Sequence, residues 1–380
     1  MPIYKIKGIK KDGLQKYHVR INYLDSLGKK RQLTRTAWGI ESARELERQL
    51  DIEINVKDEK PVKKMTVQEL FDEYTAVKQY EVRESTLDKI KRNFDYYILP
   101  TLKSVNIDKL TVAVLQKWKL EMEKKSLALN SKKQAFSDFR AMLNYAIRMD
   151  YISKNHLTVA GNFKDNEFIE KDMTFYNAEQ FKKFIAVANE QALGCQEMKA
   201  NYSEWDFYVF FNIAFYTGLR KGEIYALKWS DINGSYLSVK RSITQRLKGG
   251  DRETPPKNKF SIRTLQMPSP LIQILIEHKK RQETLDTFTD DYRICGGVRS
   301  LRNTSIQRRN ERYAKLAGLD VIRIHDFRHS HVSVLANEGI NIQEIARRLG
   351  HSRIEITWNT YSHLYPREEE RAVNVLDNIA

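Results

Sequence analysis

The sequence predicts a multidomain fold of three differently built parts. These are a small three-stranded sheet with one helix at the N-terminus, an all-α part, and a mainly α part with a small β-sheet. Strict alternation of apolar and polar residues opens the chain, and apolar residues recur at helical spacing from about residue 66 onward. Two charged stretches without such a period interrupt the pattern. A length of 380 residues is compatible with two to three domains.

The charge distribution favours a polyanionic partner. The chain carries 65 Lys and Arg against 49 Asp and Glu, a net charge of +16, with a pI near 9.5. Residues 1–35 alone hold ten Lys or Arg against two Asp, which is half of the surplus. Nucleic acid is the usual partner of such a patch. A basic face kept only for solubility is the alternative, although it does not require this concentration of charge.

Other features exclude several classes of protein. No run approaches the roughly 20 apolar residues of a membrane span, and the longest apolar cluster, FYVFFNIAFY at 207–216, fits a buried helix. The N-terminus lacks the apolar region of a signal peptide. Cys195 and Cys295 lie far apart without a CxxC pair, which argues against a disulfide framework. We therefore expect a cytoplasmic protein with no membrane partner.

Residues 1–57 are predicted to form the small sheet and its helix. In KYHVRINYL, residues 16–24, apolar and polar side chains alternate as in a half-buried strand. SLGKK marks a turn, RQLTRTA a further strand, and IESARELERQLDIEI an amphipathic helix. The polar sheet face is suited to lie in a DNA groove, as in other β-sheet readers. The candidate DNA contacts of this part are Lys5, Lys7, Lys10, His18, Arg20, Arg31 and Arg35.

A charged, proline-containing linker at 58–65 precedes the all-α part at 66–157. Thr66 and Glu69 form a capping box at its first helix. Its basic residues are predicted on solvent faces, where they either contact phosphates or only solvate the helices. The candidate DNA contacts among them are Lys89, Arg92, Lys132, Lys133 and Arg140. A second linker, 158–173, leads into the mainly α part at 174–380, in which YLSVKRSITQ and FSIRTLQMP are predicted strands.

Three stretches of the last part carry residues suited to chemistry on a phosphate. In YTGLRKGEIYAL, Gly218 provides a left-handed helix end, and Arg220 and Glu223 then share one face of the next helix. An arginine at a helix start is well placed to bind a phosphate through its fork of donors. A surface ion pair between Arg220 and Glu223 is the alternative interpretation.

The second stretch, RIHDFRHSHVSVLANEG, places His325 before a helix opened by Asp326, with Arg328 one turn further on. The helix N-terminus and its dipole favour an anion there. His325 and His329, four residues apart, are also a possible zinc pair, but the stretch lacks the glutamate of an HExxH motif and a thiolate cluster. No metal is therefore predicted.

The third stretch, RRLGHSRIEITWNTYSHLY, places His351 in a turn after Gly350 and Tyr361 about three helical turns later. Ser352 and Glu355 are predicted to form the capping box of the intervening helix. A half-buried aromatic is the commonest role of a tyrosine. Together, however, two arginines, two histidines and a tyrosine near helix ends are what phosphoryl transfer without a metal needs.

In this order and spacing, TGLRKGEI, HDFRHSH and LGHSRIEITWNTYSHL resemble the signature of tyrosine recombinases, the phage integrase family. The resemblance implies the tyrosine recombinase fold, with a catalytic domain at 174–380 and a SAM-like core-binding domain at 66–157. It implies an arm-site DNA-binding domain at 1–57, as in mobile-element integrases of the lambda type.

The family's cationic residues match particular positions of this chain. Arg220 and Arg328 match the two arginines that clasp the scissile phosphate, and Glu223 matches the acidic residue that supports the first of them. The family's lysine comes from a β-hairpin loop, for which Lys257 is the best match and Lys259 remains a rival.

The family's remaining residues take part in proton transfer and nucleophilic attack. His325 matches the histidine suited to proton shuttling, and His351 matches the position that hydrogen-bonds a phosphate oxygen. Tyr361 matches the nucleophile, which forms a 3′-phosphotyrosyl bond and releases a 5′-hydroxyl. A free tyrosine has a pKa of about 10 and needs a base, for which His325 is the candidate. No cofactor is required, because the ester retains the energy of the bond.

The resemblance also implies partners and leaves alternatives open. The implied partners are double-stranded DNA with core and arm sites, a homotetramer assembled on DNA with a Holliday junction, a possible DNA-bending host factor and an excisionase. A type IB topoisomerase that reseals its own strand and a non-catalytic DNA-binding regulator are the alternatives. In the tail, 367–380, apolar residues at helical spacing predict a helix that docks in trans on a neighbouring protomer, or in cis on its own domain.

Overall fold

A computed structural model describes most of the chain, and it divides into two compact units, Met1–Ile169 and Glu170–Ala380. The described residues are 3–11, 13–24, 30–56, 64–164, 173–194, 203–245, 250–255, 261–365 and 373. Among these residues, no helix is long and apolar enough to cross a membrane. Each unit is described by itself below.

The first unit contains one three-stranded antiparallel sheet in the order β1-β2-β3, and helices. Its elements are β1 (Ile3–Lys11), β2 (Leu14–Leu24), β3 (Lys30–Trp38), α1 (Ile40–Val56), α2 (Val67–Glu81), α3 (Glu84–Asn93), α4 (Leu99–Leu102), α5 (Val112–Lys124), α6 (Leu129–Arg148) and α7 (His156–Ala160). A π-helical segment, Phe94–Ile98, joins α3 to α4. The sheet with one helix, followed by helices alone, agrees with the predicted order.

The sheet buries one face in a small core with α1. Val19 of β2, Ala37 of β3, and Ala43 and Leu50 of α1 form this core. The alternation in β2 explains the arrangement, because successive side chains of a strand point to opposite faces and only the apolar set meets the helix.

The helices of the first unit surround a second, larger core. The capping box of Thr66 and Glu69 is present at the start of α2, as predicted. Trp118 of α5 lies at the centre, packed edge-on against Phe139 and Phe163, and its indole N–H donates to the carbonyl of Tyr97 at 2.8 Å. Phe163 is 3% exposed, so this core extends past residue 157, where the sequence predicts a linker.

The second unit is mainly α-helical with small sheets. Its elements are α8 (Ala178–Leu193), α9 (Glu204–Thr217), α10 (Lys221–Ala226), β4 (Ile232–Asn233), β5 (Tyr236–Val239), β6 (Ser242–Thr244), β7 (Arg252–Thr254), β8 (Arg263–Gln266), α11 (Ser269–Gln282), α12 (Asn303–Leu316), α13 (Asp326–Asn337), α14 (Ile342–Leu349) and α15 (Ile354–Tyr361). The strands pair in the order β4-β5-β8, and β6 pairs with β7. The two predicted strand regions are therefore present, and β4 and β7 are additional.

Helix α9 forms the middle of this unit, as its almost uninterrupted apolar sequence predicts. Phe207, Phe210 and Phe211 are fully buried, and Phe211 contacts the rings of Tyr313 and Phe327 from α12 and α13. This packing holds α13 against α9, so the end of α9 and the start of α13 are fixed relative to each other.

Two of the predicted helix ends are confirmed and one predicted cap is wrong. Gly218 ends α9 and Gly350 ends α14, both in the left-handed conformation, with φ of 64° and 66°. Helix α15, however, has Arg353 as its N-cap and no capping hydrogen bond from a side chain. Ser352 lies in the preceding turn, from which His351 is bonded to Thr357 of α15. Lys257, Lys259 and the tail apart from Val373 lie outside the described residues.

We expect Trp118→Ala to destabilise the helical core of the first unit by about 3–5 kcal/mol, because it leaves a large cavity and removes a buried hydrogen bond. Hydrogen–deuterium exchange of α5 and α6 amides in the full chain measures the loss. Tyr80→Ala is the control, since Tyr80 is 86% exposed. Unchanged protection of α6 in Trp118→Ala would contradict this description of the core.

Candidate active site

The guanidinium of Arg328 lies at the centre of the predicted site. Its Nη1 donates to the carbonyl of Gly218 at 2.8 Å, and its Nη2 donates to the carbonyl of Leu349 and to Nε2 of His351, both at 2.8 Å. Arg328 is only 2% exposed. One side chain of α13 thus connects the end of α9 with the end of α14.

The two glycine turns explain why carbonyls are available there. The last carbonyls of a helix have no partner within the helix and carry the negative end of its dipole, so they accept from a cation. At Gly218 the turn also requires glycine for space, because a Cβ would lie 2.6 Å from Cδ2 of His331. Burial, with a smaller contribution from the nearby charge of Arg220, nevertheless lowers the pKa of Arg328 to about 9.

Glu223 joins two arginines on the opposite side of the Gly218 turn. Its carboxylate accepts from the backbone N–H of Arg220 at 3.0 Å and from Nη1 of Arg220 at 3.1 Å. It also accepts from Nη2 of Arg263, on β8, at 2.9 Å. Burial raises the pKa of Glu223, but the charge and hydrogen bonds of Arg263 outweigh it, so the pKa lies below its usual value.

Arg263 ties this pair to the turn that carries His351. Besides Glu223, it donates to the carbonyl of Arg348 at 2.7 Å and to that of Ser261 at 3.0 Å. Its side chain is 4% exposed, whereas that of Arg220 is 41% exposed. The hydrogen bonds of Arg263 therefore stabilise the fold, whereas Arg220 has a side that a ligand can reach.

His351 is held between Arg328 and the buried Thr357. Because Arg328 donates to Nε2, the neutral ring carries its proton on Nδ1, which donates to Oγ1 of Thr357 at 2.8 Å. Burial lowers the pKa of His351 to about 4, and the charges of Arg328 and Arg220 add to this effect. His351 is therefore neutral at pH 7.

Tyr361, the last residue of α15, is 2% exposed and belongs to an apolar cluster with Val332 and Leu349. Its phenolic oxygen lies 2.8 Å from Nδ1 of His329. Burial raises the pKa of Tyr361, while the charges of Arg328 and Arg220 act in the opposite direction. The candidate nucleophile therefore faces the two arginines that the sequence analysis selected.

His325 does not make the phenol's hydrogen bond. It lies before α13, with its ring perpendicular to that of His329 at a centroid distance of 5.2 Å. It lines a cavity of about 610 Å³ together with Arg220, Lys221 and Arg323. Although His325 remains accessible from this cavity, loss of water around the ring lowers its pKa to about 4, and His329 and Arg328 contribute.

The candidate catalytic residues of the second unit thus lie around one site, except Lys257, which lies outside the described residues. Three functional neighbours were missed. Arg263 occupies a buried register of the alternating strand β8, where a charge is unusual. His329 follows His325 by one helical turn but was considered only as a zinc ligand. Thr357 carried no signal, because its contact depends on the turn at Gly350.

The candidate DNA contacts of the N-terminal sheet lie on two faces. His18 pairs with Thr36 and Arg20 with Thr34, whereas Arg35 pairs with the buried Val19. Residues directly opposite each other on antiparallel strands share a face. Arg35, and likewise Arg31 and Lys5 opposite Tyr23 and Tyr17, therefore lie on the face toward α1, away from His18 and Arg20. The side chains of Lys7 and Lys10 are outside the described set.

The candidate contacts of the helical part also differ from one another. Lys89, Arg92 and Arg140 are exposed, and Lys133 is half-buried. Lys132 is 8% exposed, and its Nζ lies 2.6 Å from the carboxylate of Glu123, so its predicted solvent position is wrong. Its place on the inward side of α6 lets the aliphatic stem pack while the ammonium pairs.

The arrangement as a whole is a pocket of cations beside a phenol and three histidines whose pKa values are lowered. Guanidinium groups held in place before a ligand arrives are suited to the charge of a phosphate undergoing displacement. Within the described part of the chain, no three His, Cys, Asp or Glu side chains are grouped so as to hold a metal ion.

The chain is similar to known proteins over most of its length. A family model described as "Phage integrase family" matches residues 174–368, and one described as "Phage integrase, N-terminal SAM-like domain" matches residues 66–122. The ICEBs1 integrase of Bacillus subtilis (strain 168) is 30% identical over 297 residues, which cover 75% of this chain and 74% of that protein. The integrase of Staphylococcus phage L54a is 22% identical over 359 residues, covering 88% and 99%.

Solved structures with this fold include integrases bound to DNA. The Tn1549 transposon integrase in complex with a circular intermediate DNA has a TM-score of 0.64 at 19% identity, covering 83% of this chain and all of that one. The lambda integrase dimer bound to a COC′ core site has a TM-score of 0.55 at 18% identity, covering 97% and 95%. The lambda integrase tetramer bound to a Holliday junction has a TM-score of 0.54 at 18% identity, covering 93% and 96%.

We expect Arg263→Met to destabilise the second unit by about 3–5 kcal/mol, because removing one partner of a buried ion pair leaves the charge of Glu223 poorly compensated. Urea unfolding of the full chain measures the change. In a double-mutant cycle, adding Glu223→Gln should recover part of the loss. Equal stability of Arg263→Met and the unsubstituted chain would show that the pair contributes nothing.

We also expect the DNA-free protein to lose stability as the pH falls from 6.5 toward 4. The pKa values of His351 and His331 are lowered to about 4 and about 3, so the unfolded chain binds protons in this range that the folded chain does not. The unfolding free energy measured against pH should fall less steeply in His351→Gln than in the unsubstituted chain. His363→Gln, at an exposed position, serves as the control. Parallel curves for all three proteins would contradict the buried, neutral state of His351.

Proposed function

The chain belongs to the phage integrase family and is a tyrosine site-specific recombinase, and on this premise we propose that Tyr361 is the nucleophile that cuts and rejoins DNA. The observation that supports this most directly is the position of the phenol, buried within the field of Arg328 and Arg220. We propose that the element it serves is a phage or a conjugative transposon.

Arg220 and Arg328 are proposed to bind the scissile phosphate from two sides. Arg220 has an accessible side and lines the cavity, so we place the phosphate at that end of the site. Two carbonyls and Nε2 of His351 accept from the Nη atoms of Arg328, and we propose that an arriving phosphate oxygen replaces His351 among these acceptors. Glu223 already orders Arg220 before a phosphate arrives, whereas Arg328 exchanges one partner for the phosphate.

His351 is proposed to donate a hydrogen bond to a phosphate oxygen. In the DNA-free protein its Nε2 accepts from Arg328, so donation requires a proton on that nitrogen. When Arg328 turns toward the phosphate, Nε2 is released. The ring then either takes a proton from water, which the negative charge of the phosphate favours, or changes tautomer. Thr357 suits either state, because its hydroxyl both donates and accepts.

The reaction is proposed to proceed by in-line displacement. Oη of Tyr361 forms a bond to phosphorus, the bond from phosphorus to the 5′-oxygen breaks, and the strand is held as a 3′-phosphotyrosyl ester. Lys257, with Lys259 as its rival, is proposed to give a proton to the departing 5′-oxygen. His325, neutral at pH 7 and beside Arg220, is proposed to shuttle protons on the phosphate side of the site.

The other parts of the chain are proposed to bind DNA. The helical part at 66–157, of which residues 66–122 match the SAM-like family, would hold the core site, with Lys89, Arg92 and Arg140 at its exposed surface. The N-terminal sheet would bind arm sites, with His18 and Arg20 on one face. By analogy with the lambda integrase tetramer bound to a Holliday junction, we propose that four copies assemble on DNA in the cytoplasm. A DNA-bending host factor and an excisionase remain proposed partners.

We expect Tyr361→Phe to abolish covalent attachment to a nicked suicide duplex while leaving DNA affinity within about twofold, because the change removes only the attacking oxygen. The duplex is selected from a randomised library by covalent trapping on the unsubstituted protein. Denaturing electrophoresis detects the adduct.

The control is Tyr365→Phe, since the Tyr365 hydroxyl donates to the carbonyl of Ile340 and makes no contact with the arginines. An adduct that persists in Tyr361→Phe but not in Tyr365→Phe would reassign the nucleophile. Absence of any adduct with the unsubstituted protein would favour a DNA-binding regulator instead.

A further inference from the structure

We infer that His329 is the catalytic base of this site: its Nδ1 takes the phenolic proton of Tyr361 during attack, and Asp326 orients its ring. This inference deepens the proposed function and rests on Tyr361 being the nucleophile. It assigns the phenol's proton to a histidine other than His325.

The contact itself is direct. Oη of Tyr361 lies 2.8 Å from Nδ1 of His329, within the range for a hydrogen bond, and the two ring centroids are 5.5 Å apart. A base must lie within this reach of the proton that it removes. Among the histidines of the described residues, His329 is the one hydrogen-bonded to the phenol, whereas His325 contacts the ring of His329.

The surroundings of Nε2 indicate which tautomer of His329 is present. Nε2 of His329 lies 3.9 Å from Oδ1 of Asp326, too far for a hydrogen bond but close enough for the carboxylate's charge to favour a proton on that nitrogen. A neutral ring with its proton on Nε2 presents the lone pair of Nδ1 to the phenol. The phenol then donates to His329, which is the direction that proton transfer needs.

The carboxylate of Asp326 is itself held in a fixed position. The residue is fully buried, and its carboxylate accepts from Oγ1 of Thr174 at 3.0 Å and from the backbone N–H of Arg323 at 2.9 Å. The Arg323 side chain adds a bond from Nη2 at 2.8 Å. Burial raises the pKa of Asp326, but the hydrogen bonds of Arg323 and Thr174 outweigh it and hold the pKa below its usual value. The carboxylate is therefore charged and fixed when the ring needs a partner.

The protonation states at pH 7 suit the transfer. Burial lowers the pKa of His329, which Asp326 opposes and the charges of Arg323 and Arg328 reinforce. Burial also raises the pKa of Tyr361, so few phenolates form without a base. Nucleophile, base and orienting carboxylate thus form the same kind of series as in other activated nucleophiles, although Asp326 acts at a distance.

The proton balance closes in both directions. As the bond from Oη to phosphorus forms, the phenolic proton moves to Nδ1 of His329 and gives an imidazolium, which the charge of Asp326 stabilises. The bond to the 5′-oxygen breaks, and that oxygen receives its proton from the proposed lysine. When a 5′-hydroxyl later attacks the ester, Tyr361 leaves and takes the proton back from His329.

The test measures single-turnover adduct formation by the full chain on the nicked duplex obtained by covalent trapping, between pH 6.5 and 9. Asparagine at position 329 can hold a hydrogen bond but cannot accept the proton. We expect His329→Asn to slow adduct formation about 10²- to 10⁴-fold at pH 7, with DNA affinity within about twofold. The deficit should shrink as the pH rises, because hydroxide replaces the base. Added imidazole should partly restore His329→Ala.

The control is His363→Asn, two residues beyond Tyr361 and exposed, which should react at the rate of the unsubstituted protein. A rate for His329→Asn within about threefold of the unsubstituted rate would overturn the inference. A loss that is equal at every pH and not restored by imidazole would also overturn it, because it would indicate a structural role only. If the unsubstituted protein forms no adduct, the proposed function itself fails; if Tyr361→Phe alone abolishes the adduct, only the role of His329 fails.

A second measurement is independent of DNA. In ¹⁵N-labelled protein at pH 7, histidine nitrogen shifts should show His329 neutral with its proton on Nε2, assigned by loss of the signal in His329→Asn. Tyr361→Phe should shift the Nδ1 signal, because the donor is removed. A proton on Nδ1 would overturn the inference, since that nitrogen would then donate to the phenol instead of accepting from it.

Discussion

The buried guanidinium of Arg328 is the interaction on which the rest of the site depends. Removing such a group from water is costly, and the chain offsets this cost with carbonyls from two helix ends and with Nε2 of His351. Those carbonyls are available because Gly218 and Gly350 end their helices in the left-handed conformation. Arg328, the turns at Gly218 and Gly350, and His351 therefore depend on one another through these hydrogen bonds.

Burial, and to a lesser extent the charges of these cations, set the protonation of the histidines and the phenol around them. Arg328 and Arg220 help to keep His351 neutral and pull the pKa of Tyr361 down against the larger effect of burial. Glu223 and Arg263 balance charge on one side of the site, and Asp326 does so on the other. A phosphate that enters meets ordered positive charge beside buried side chains, where electrostatic interactions are stronger than in water. In the proposed mechanism, which uses no metal ion, the arginines thus stabilise the negative charge on the phosphate during displacement.

Local sequence rules predicted much of the fold. The capping box of Thr66, the two glycine helix ends and the alternating strand β2 all depend on residues a few positions apart, and the structure has each of them. The errors arose where an element meets another one. Ser352 does not cap α15 and lies in the turn from which His351 bonds Thr357. Lys132 points inward to Glu123. Arg35 lies on the helix side of its sheet because the strand register pairs it with Val19.

The sequence by itself determined which chemical groups are present and on which helix ends they stand, since spacing along one element decides which side chains share its face. It therefore selected the two arginines, His325, His351 and the tyrosine as candidates. Only the tertiary structure decided that the phenol meets His329, that Arg263 accompanies Glu223, and that Thr357 holds His351. Those contacts join α13 to α15, β8 to α10, and a turn to the helix after it. The distances in these contacts depend on how the helices and strands pack against each other. The order of residues along one helix or strand does not determine that packing.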